Sequence, residues 1–181
     1  MATRGTDKLI CDTLLDMMED EPWHQIKITD LARAAKISRS TFYVYFDSIF
    51  DVLQQIEDEF YEGLAAETEV GGEPGDDTTV SVESLRYIQK NLRLIRIMNG
   101  PNGDATFWAR GYNRARRVTG LLMEKNGSTA TPLEREAFQR YYYYGKNAFL
   151  NYWAEHEDEY SIAEIAEVST KFYRALHGVL Y

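Results

Sequence analysis

An all-α fold is what this sequence predicts, and three observations predict it. Apolar residues recur at three- and four-residue spacing along most of the chain, the period that gathers side chains on one side of a helix. Ser, Thr or Pro stands just before several of these runs, where helix starts favour them. No stretch alternates apolar and polar residues for long enough to make a useful strand. The 181 residues suffice for one medium domain, or for a small unit and a larger one sharing a core.

The elements follow in order. Leu9, Ile10, Leu14, Met17 and Met18 form one stripe, so a first helix is expected over 6–19, stopped by Pro22. Ile26 and Ile28 alternate with polar residues too briefly for a strand. Thr29 suits an N-cap, with Asp30 favourable at the positive helix end and Leu31, Ala32 and Ala35 facing inward. Ser38 caps the next short helix, whose inward residues are Phe42 and Phe46. Ser48 and Asp51 resemble a capping box opening a long helix, with Ile49, Phe50, Leu53, Ile56, Phe60 and Leu64 inward. Residues 70–79 (VGGEPGDDTT) read as a mobile loop. Leu85, Ile88, Leu92, Ile95 and Met98 then mark one amphipathic helix ended by the NGPNG run at 99–103. Another helix is expected over 104–125, closed by Asn126 and Gly127. Thr131 and Pro132 open a long helix reaching 157. Ser161 with Glu164 is a capping box for a last helix running to the C-terminus. There are about eight helices in this reading.

Composition narrows the function classes. A hydrophobic share of 44% is ordinary for a globular protein. No run approaches the ~18 apolar residues of a membrane span, and the first residues lack the apolar core of a signal peptide. The single Cys11 excludes an intrachain disulfide and a cysteine-rich metal site. A cytoplasmic protein is expected. His24, His156 and His177 have no ligand spacing, and the acidic run 155–159 reads as a polar helix end. No phosphate loop, nucleophile elbow or HExxH sequence is present, so neither an enzyme nor a cofactor or metal is expected.

Taken as a total, a net charge of −9 argues against nucleic acid, because neutralising phosphates needs Lys and Arg. The local balance is opposite. Between His24 and Phe46, Lys27, Arg33, Lys36 and Arg39 face only Asp30, a net of +3. The acids gather at 12–21, 57–77 and 155–159. Residues 29–46 (TDLARAAKISRSTFYVYF) read as two short helices joined by a tight turn. The second carries a polar, aromatic face of the kind that enters a DNA major groove. On that face Arg39 can donate two bonds to guanine O6 and N7. Ser40 and Thr41 can bond bases or phosphates. Thr29, Lys36 and Ser38 sit where helix starts hold phosphates, which sets register rather than sequence. The plainer readings are a solvated Arg39 and simple capping by Thr29 and Ser38.

The run ITDLARAAKISRSTFYVYFDS over 28–48 resembles the DNA-binding signature of the TetR family of bacterial transcriptional regulators. More loosely, NGPNGD at 99–104, and Tyr144, Gly145, Phe149, Leu150 and Trp153 before SIAEIA at 161–166, resemble a branch related to the activator of dihydroxyacetone kinase genes. The resemblance implies a three-helix helix-turn-helix domain over 1–47. It implies over 48–181 a helical bundle for ligand binding and dimerisation. Tyr43 and Tyr45 match family positions that reach the DNA backbone or a base, although one of them could simply pack beneath the first helix. Two positions depart from the pattern. Lys36 stands at the turn position usually held by Gly, and Ile49 stands where the family usually carries a phosphate-binding Lys.

The implied protein is a ligand-responsive homodimeric repressor reading a palindromic double-stranded operator. A co-activator working through a protein partner, such as a kinase subunit, is the alternative; a helical carrier of small apolar ligands is a third. For the effector, Tyr87, Trp108, Tyr112, Tyr142 and Trp153 are the candidate pocket residues, and core or interface packing is the rival role for each. The four consecutive tyrosines 141–144 point about 100° apart, so they cannot share one pocket. Arg86, Lys90, Arg93 and Arg96, followed by Arg110, Arg114, Arg116 and Arg117, could attract an anion. The simpler expectation is pairing with the acids at 57–69.

Overall fold

In the computed structural model, residues 5–71 and 82–181 are described. They form nine α-helices, one 3₁₀ turn and no strands. In chain order the helices are α1 Thr6–Met18, α2 Ile28–Ala34, α3 Arg39–Tyr45, α4 Ile49–Gly71, α5 Val82–Lys90, α6 Leu92–Asn99, α7 Phe107–Lys125, α8 Pro132–Glu155 and α9 Ile162–His177. The 3₁₀ turn, Trp23–Gln25, follows Pro22. The loop expected over 70–79 begins within α4, whose backbone runs to Gly71; its remainder lies outside the described residues. The chain divides into two compact units. One comprises the described residues of Met1–Glu62 with Arg93–Ala105, and the other those of Gly63–Leu92 with Thr106–Tyr181.

The first unit is built around α1. Ile10, Cys11, Leu14 and Met18 are its buried stripe, whereas Leu9 is exposed. Leu31, Ala32, Ala35, Phe42 and Phe46 are buried as expected. On α4 the buried apolar residues of this unit are Ile49, Val52, Leu53, Ile56 and Phe60. Phe50 instead turns outward against Trp23, with ring centroids 5.8 Å apart. The periodicity of α4 admits either residue at the stripe's edge, and the indole at the 3₁₀ turn takes Phe50.

Residues 85–98 form two helices, not one. All five expected inward residues are buried, but Asn91 interrupts the ladder. Its side-chain amide donates to the Tyr87 carbonyl at 2.8 Å, the acceptor its own backbone N–H would use in a continuous helix. That N–H bonds the Ile88 carbonyl at 2.9 Å instead. Competition of this kind is why Asn is poor inside helices. A stripe defined by apolar positions does not reveal it.

The turn after α6 is tied to α1. Asn102 donates from its side chain to the Glu19 carbonyl at 3.2 Å, and its own carbonyl accepts from Trp23 N–H at 3.2 Å. Gly103 folds back so closely that a Cβ there would collide with the Met98 carbonyl. Arg93 bridges Asp16 and Glu19 at 2.5 and 2.8 Å, and Arg86 pairs with Glu83 at 3.9 Å. These two arginines thus differ from the expected pairing with the acids at 57–69. All these groups are half-exposed, so each pair contributes no more than about 1 kcal/mol.

In the second unit α7 packs on α8, α8 on α9, and α5 on α9. Met123, Ala130, Phe138, Tyr173 and Leu180 form a core cluster. Thr131 and Ser161 each make a complete capping box, with Glu134 and Glu164. The last helix stops at His177, short of the C-terminus. Gly178 ends it, and Leu180 is buried while its carbonyl accepts from Ser128 Oγ at 2.9 Å. Burying Leu180 against the 128–138 region decides this end better than helix propensity does.

Candidate nucleic-acid interface

Helix α2 begins two residues earlier than expected. The carbonyl of Lys27, not Thr29, stands at the cap and accepts from Asp30 and Leu31 N–H at 2.9 and 3.0 Å. Thr29 lies inside the first turn, exposed, so its expected capping role is not the one it plays. At the other end, Ile37 N–H donates to Ala32 O at 2.9 Å and Lys36 N–H to Arg33 O at 3.1 Å. This is a Schellman stop with Lys36 at the left-handed position, φ 56°. The turn that sets α3 against α2 therefore forms although no glycine is present.

Ser38 then starts α3. Its Oγ accepts from Thr41 N–H at 2.9 Å and lies 2.7 and 2.8 Å from the hydroxyls of Ser40 and Thr41. A cap of this type contributes roughly 1 kcal/mol to the helix. Phe42 and Phe46, buried on one side, anchor α3 to the core. On the other side Arg39, Ser40, Tyr43 and Val44 are exposed, and Thr41 and Tyr45 are half-buried. Arg39 and Tyr43, one turn apart, lie together: guanidinium to hydroxyl is 3.4 Å, and the guanidinium carbon is 5.9 Å from the ring centroid. The guanidinium keeps donors for an outside acceptor, while the tyrosine restricts its swing. Lys36 is exposed at the turn before α3.

Ser48 opens α4 with its Oγ accepting from Asp51 N–H at 3.2 Å. Ile49, the first helical residue, is buried. An apolar side chain turned inward explains how the helix start dispenses with the basic residue the family pattern carries there.

The expected effector residues are distributed through the second unit. Trp153 is fully buried, its indole N–H donating to Tyr160 O at 3.2 Å. Tyr112 is buried, stacked on Tyr144 and bonded to Glu136 at 3.2 Å. Burial, and then that carboxylate, push its hydroxyl pKa up. Tyr87 lies over Gly63, leaving no room for a Cβ there. Trp108 packs against Phe107 at 4.8 Å. Tyr142 alone of the five lines a groove between α8 and α9 with a volume of about 240 Å³. The tyrosine run separates as its angular spacing requires: Tyr143 is buried, Tyr141 and Tyr144 are exposed, and Tyr142 is intermediate. Among the described residues no cluster could hold a metal ion, and no helix is long and apolar enough to cross a membrane.

The architecture has solved counterparts. A TetR-family regulator from Shewanella sp. PV-4 superposes with a TM-score of 0.66 over 94% of this chain and 96% of its own, at 16% identity. The fold of this chain is similar to that of the TetR-family structure. The structure of the dihydroxyacetone kinase operon activator DhaS matches 97% of this chain and 93% of its own, with a TM-score of 0.54 and 20% identity. In sequence, the chain is 32% identical over 87 residues to the HTH-type dhaKLM operon transcriptional activator DhaS of Lactococcus lactis subsp. lactis (strain IL1403). That alignment covers 48% of this chain and 44% of the relative, so it spans less than half of the relative's length. No protein-family model matches the chain.

Proposed function

We propose that this chain is a TetR-family regulator: a ligand-responsive, homodimeric DNA-binding protein acting as a repressor in the cytoplasm. The observation that carries the reading is the exposed Arg39–Tyr43 pair on a helix held by the Ser38 cap, the Lys36 turn and the buried Phe42 and Phe46. Residues 1–47 are the proposed reader. Two such heads enter successive major grooves of a palindromic operator ~34–36 Å apart or farther. Arg39, Ser40 and Thr41 meet base edges or phosphates, Tyr43 and Tyr45 reach the backbone or a base, and Thr29, Lys36 and Ser38 hold phosphates. Residues 48–181 take up the effector and dimerise through α8 and α9. Effector binding shifts α4, and with it the spacing of the heads; by linkage, DNA lowers effector affinity by the same factor.

Fluorescence anisotropy with the promoter beside the protein's own gene tests this. Binding should be tight and fall steeply with salt, and Arg39→Ala should cost about 1–3 kcal/mol. Flat titrations at low salt for both proteins would sink the reading.

A second reading has support of its own. The net charge is −9, Ile49 is buried where a phosphate donor was expected, and the matched relative is described as an activator. In this reading residues 48–181 bind a protein partner, such as a kinase subunit, and activate transcription with weak DNA affinity. It predicts promoter binding only when the partner is added.

A further inference from the structure

At the crest of α3 stands an apolar side chain that the packing of the reader does not use. Val44 is 72% exposed, although in sequence it lies midway between Phe42 and Phe46, both buried. At about 100° per residue, Val44 points about 200° from Phe42, almost directly away from the core. Its neighbours leave it alone there. Ser40, one turn before it, has its hydroxyl 2.7 Å from Ser38 Oγ and so belongs to the cap. Arg39 and Tyr43 keep to one flank, with guanidinium and hydroxyl 3.4 Å apart. Thr41 and Tyr45 are half-buried on the other. A valine at this place does nothing for the helix: it is a weaker helix former than alanine or leucine, and an exposed one gains no burial.

We infer that Val44 reads the 5-methyl group of a thymine in each half-site of the bound DNA. The inference rests on the DNA-binding reading of α3 and deepens it by naming the base met at the crest. Valine offers neither donor nor acceptor. Set against guanine, adenine or cytosine in the major groove, it takes water from polar edges and returns no hydrogen bond. Thymine alone of the four bases presents a methyl group there, and apolar side chains are its partners. The contact removes apolar surface from water on both sides. A β-branched side chain in a helix keeps one strongly preferred χ1, so the two Val44 methyls are fixed in direction before DNA arrives. Arg39 reads by hydrogen bonds and Val44 by apolar contact, which makes the two contributions separable.

The test is anisotropy of the full chain on the promoter beside its own gene, the duplex prepared once with thymidine and once with deoxyuridine, which lacks only the 5-methyl. Wild type should bind the uracil duplex more weakly, by roughly fourfold for each half-site, the factor for one methyl group withheld from burial. Val44→Ser removes both methyls. It should bind the thymine duplex about as weakly as wild type binds the uracil one, and should not distinguish the two. Val44→Thr keeps one methyl in the same β-branched shape and should retain part of the preference. Arg39→Ala should lower affinity for both duplexes by the same factor. Circular dichroism of each variant confirms the helix content. Equal affinity of wild type for the two duplexes overturns the assignment and leaves the DNA-binding reading standing. A preference that persists unchanged in Val44→Ser also overturns it, because the methyls then act through another side chain or through duplex stiffness. Absence of binding to either duplex at low salt removes the assignment together with the reading on which it rests.

Discussion

At Lys36 two demands meet on one residue. The Schellman stop needs a left-handed backbone, which glycine adopts freely and a residue with a Cβ adopts at a cost of up to ~1 kcal/mol. The same position sets a positive charge beside the start of α3. Lys36→Gly should therefore raise stability by up to ~1 kcal/mol in urea unfolding, partly offset by the freer unfolded chain. If Lys36 meets a phosphate, the variant should also lower the log–log salt slope of promoter binding by about one. A variant less stable than wild type would contradict the strain argument. The sequence shows the departure from glycine but not the φ that makes it matter. Arg39 and Tyr43 pair because residues four apart on a helix are neighbours.

Among the elements, the two capping boxes make the clearest case of local sequence controlling structure. Glu164 takes hydrogen bonds from Ser161 Oγ and N–H at 2.7 and 2.8 Å, and Glu134 makes the same pair with Thr131, both at 2.7 Å. Those bonds hold both carboxyls below their ordinary pKa. A depressed carboxyl adds stability that is complete above the unfolded value and disappears as pH falls through the folded one. The caps should therefore begin to weaken below about pH 4.5. Thermal melts from pH 7 to 3 should show a loss that is smaller in Glu164→Gln than in wild type, and Ser161→Ala should cost about 1 kcal/mol at neutral pH. Gly103 belongs to the other kind of element, where close approach decides. Its missing Cβ lets the turn after α6 fold over the Met98 carbonyl, so Gly103→Ala should lower the midpoint of unfolding measurably. An unchanged midpoint would mean that the turn yields without cost.

For the molecule as a whole, the unpartnered apolar surface of α8 and α9 is the feature to explain. Leu133, Tyr141, Tyr152 and Phe172 are exposed along them, and single exposed apolar residues are ordinary whereas a grouped set marks an interaction face. If two copies meet there, sedimentation should give twice the mass of a 20.9 kDa chain at micromolar concentration. Phe172→Asp should then yield monomers that bind a palindromic promoter poorly, since one head loses the effective concentration supplied by the other. A wild-type monomer would remove the dimer from the reading. The acidic balance also acts at this scale: if the chain binds DNA as proposed, repulsion between the body and the duplex should weaken nonspecific binding within a Debye length of ~8–10 Å.

The sequence by itself determined the all-α class, the order of the helices, the caps at Ser38, Thr131 and Ser161, and the exposed side of α3. Each depends on neighbours within a turn or two, which periodicity and capping chemistry report directly. Tertiary structure decided the outward turn of Phe50, the partners of Arg93 and the end of the last helix at His177. It also scattered the aromatic residues of the second unit, sending Trp153 to the core and Tyr142 to a groove. Those outcomes depend on which distant surface reaches each side chain first, and a helical repeat carries no record of that.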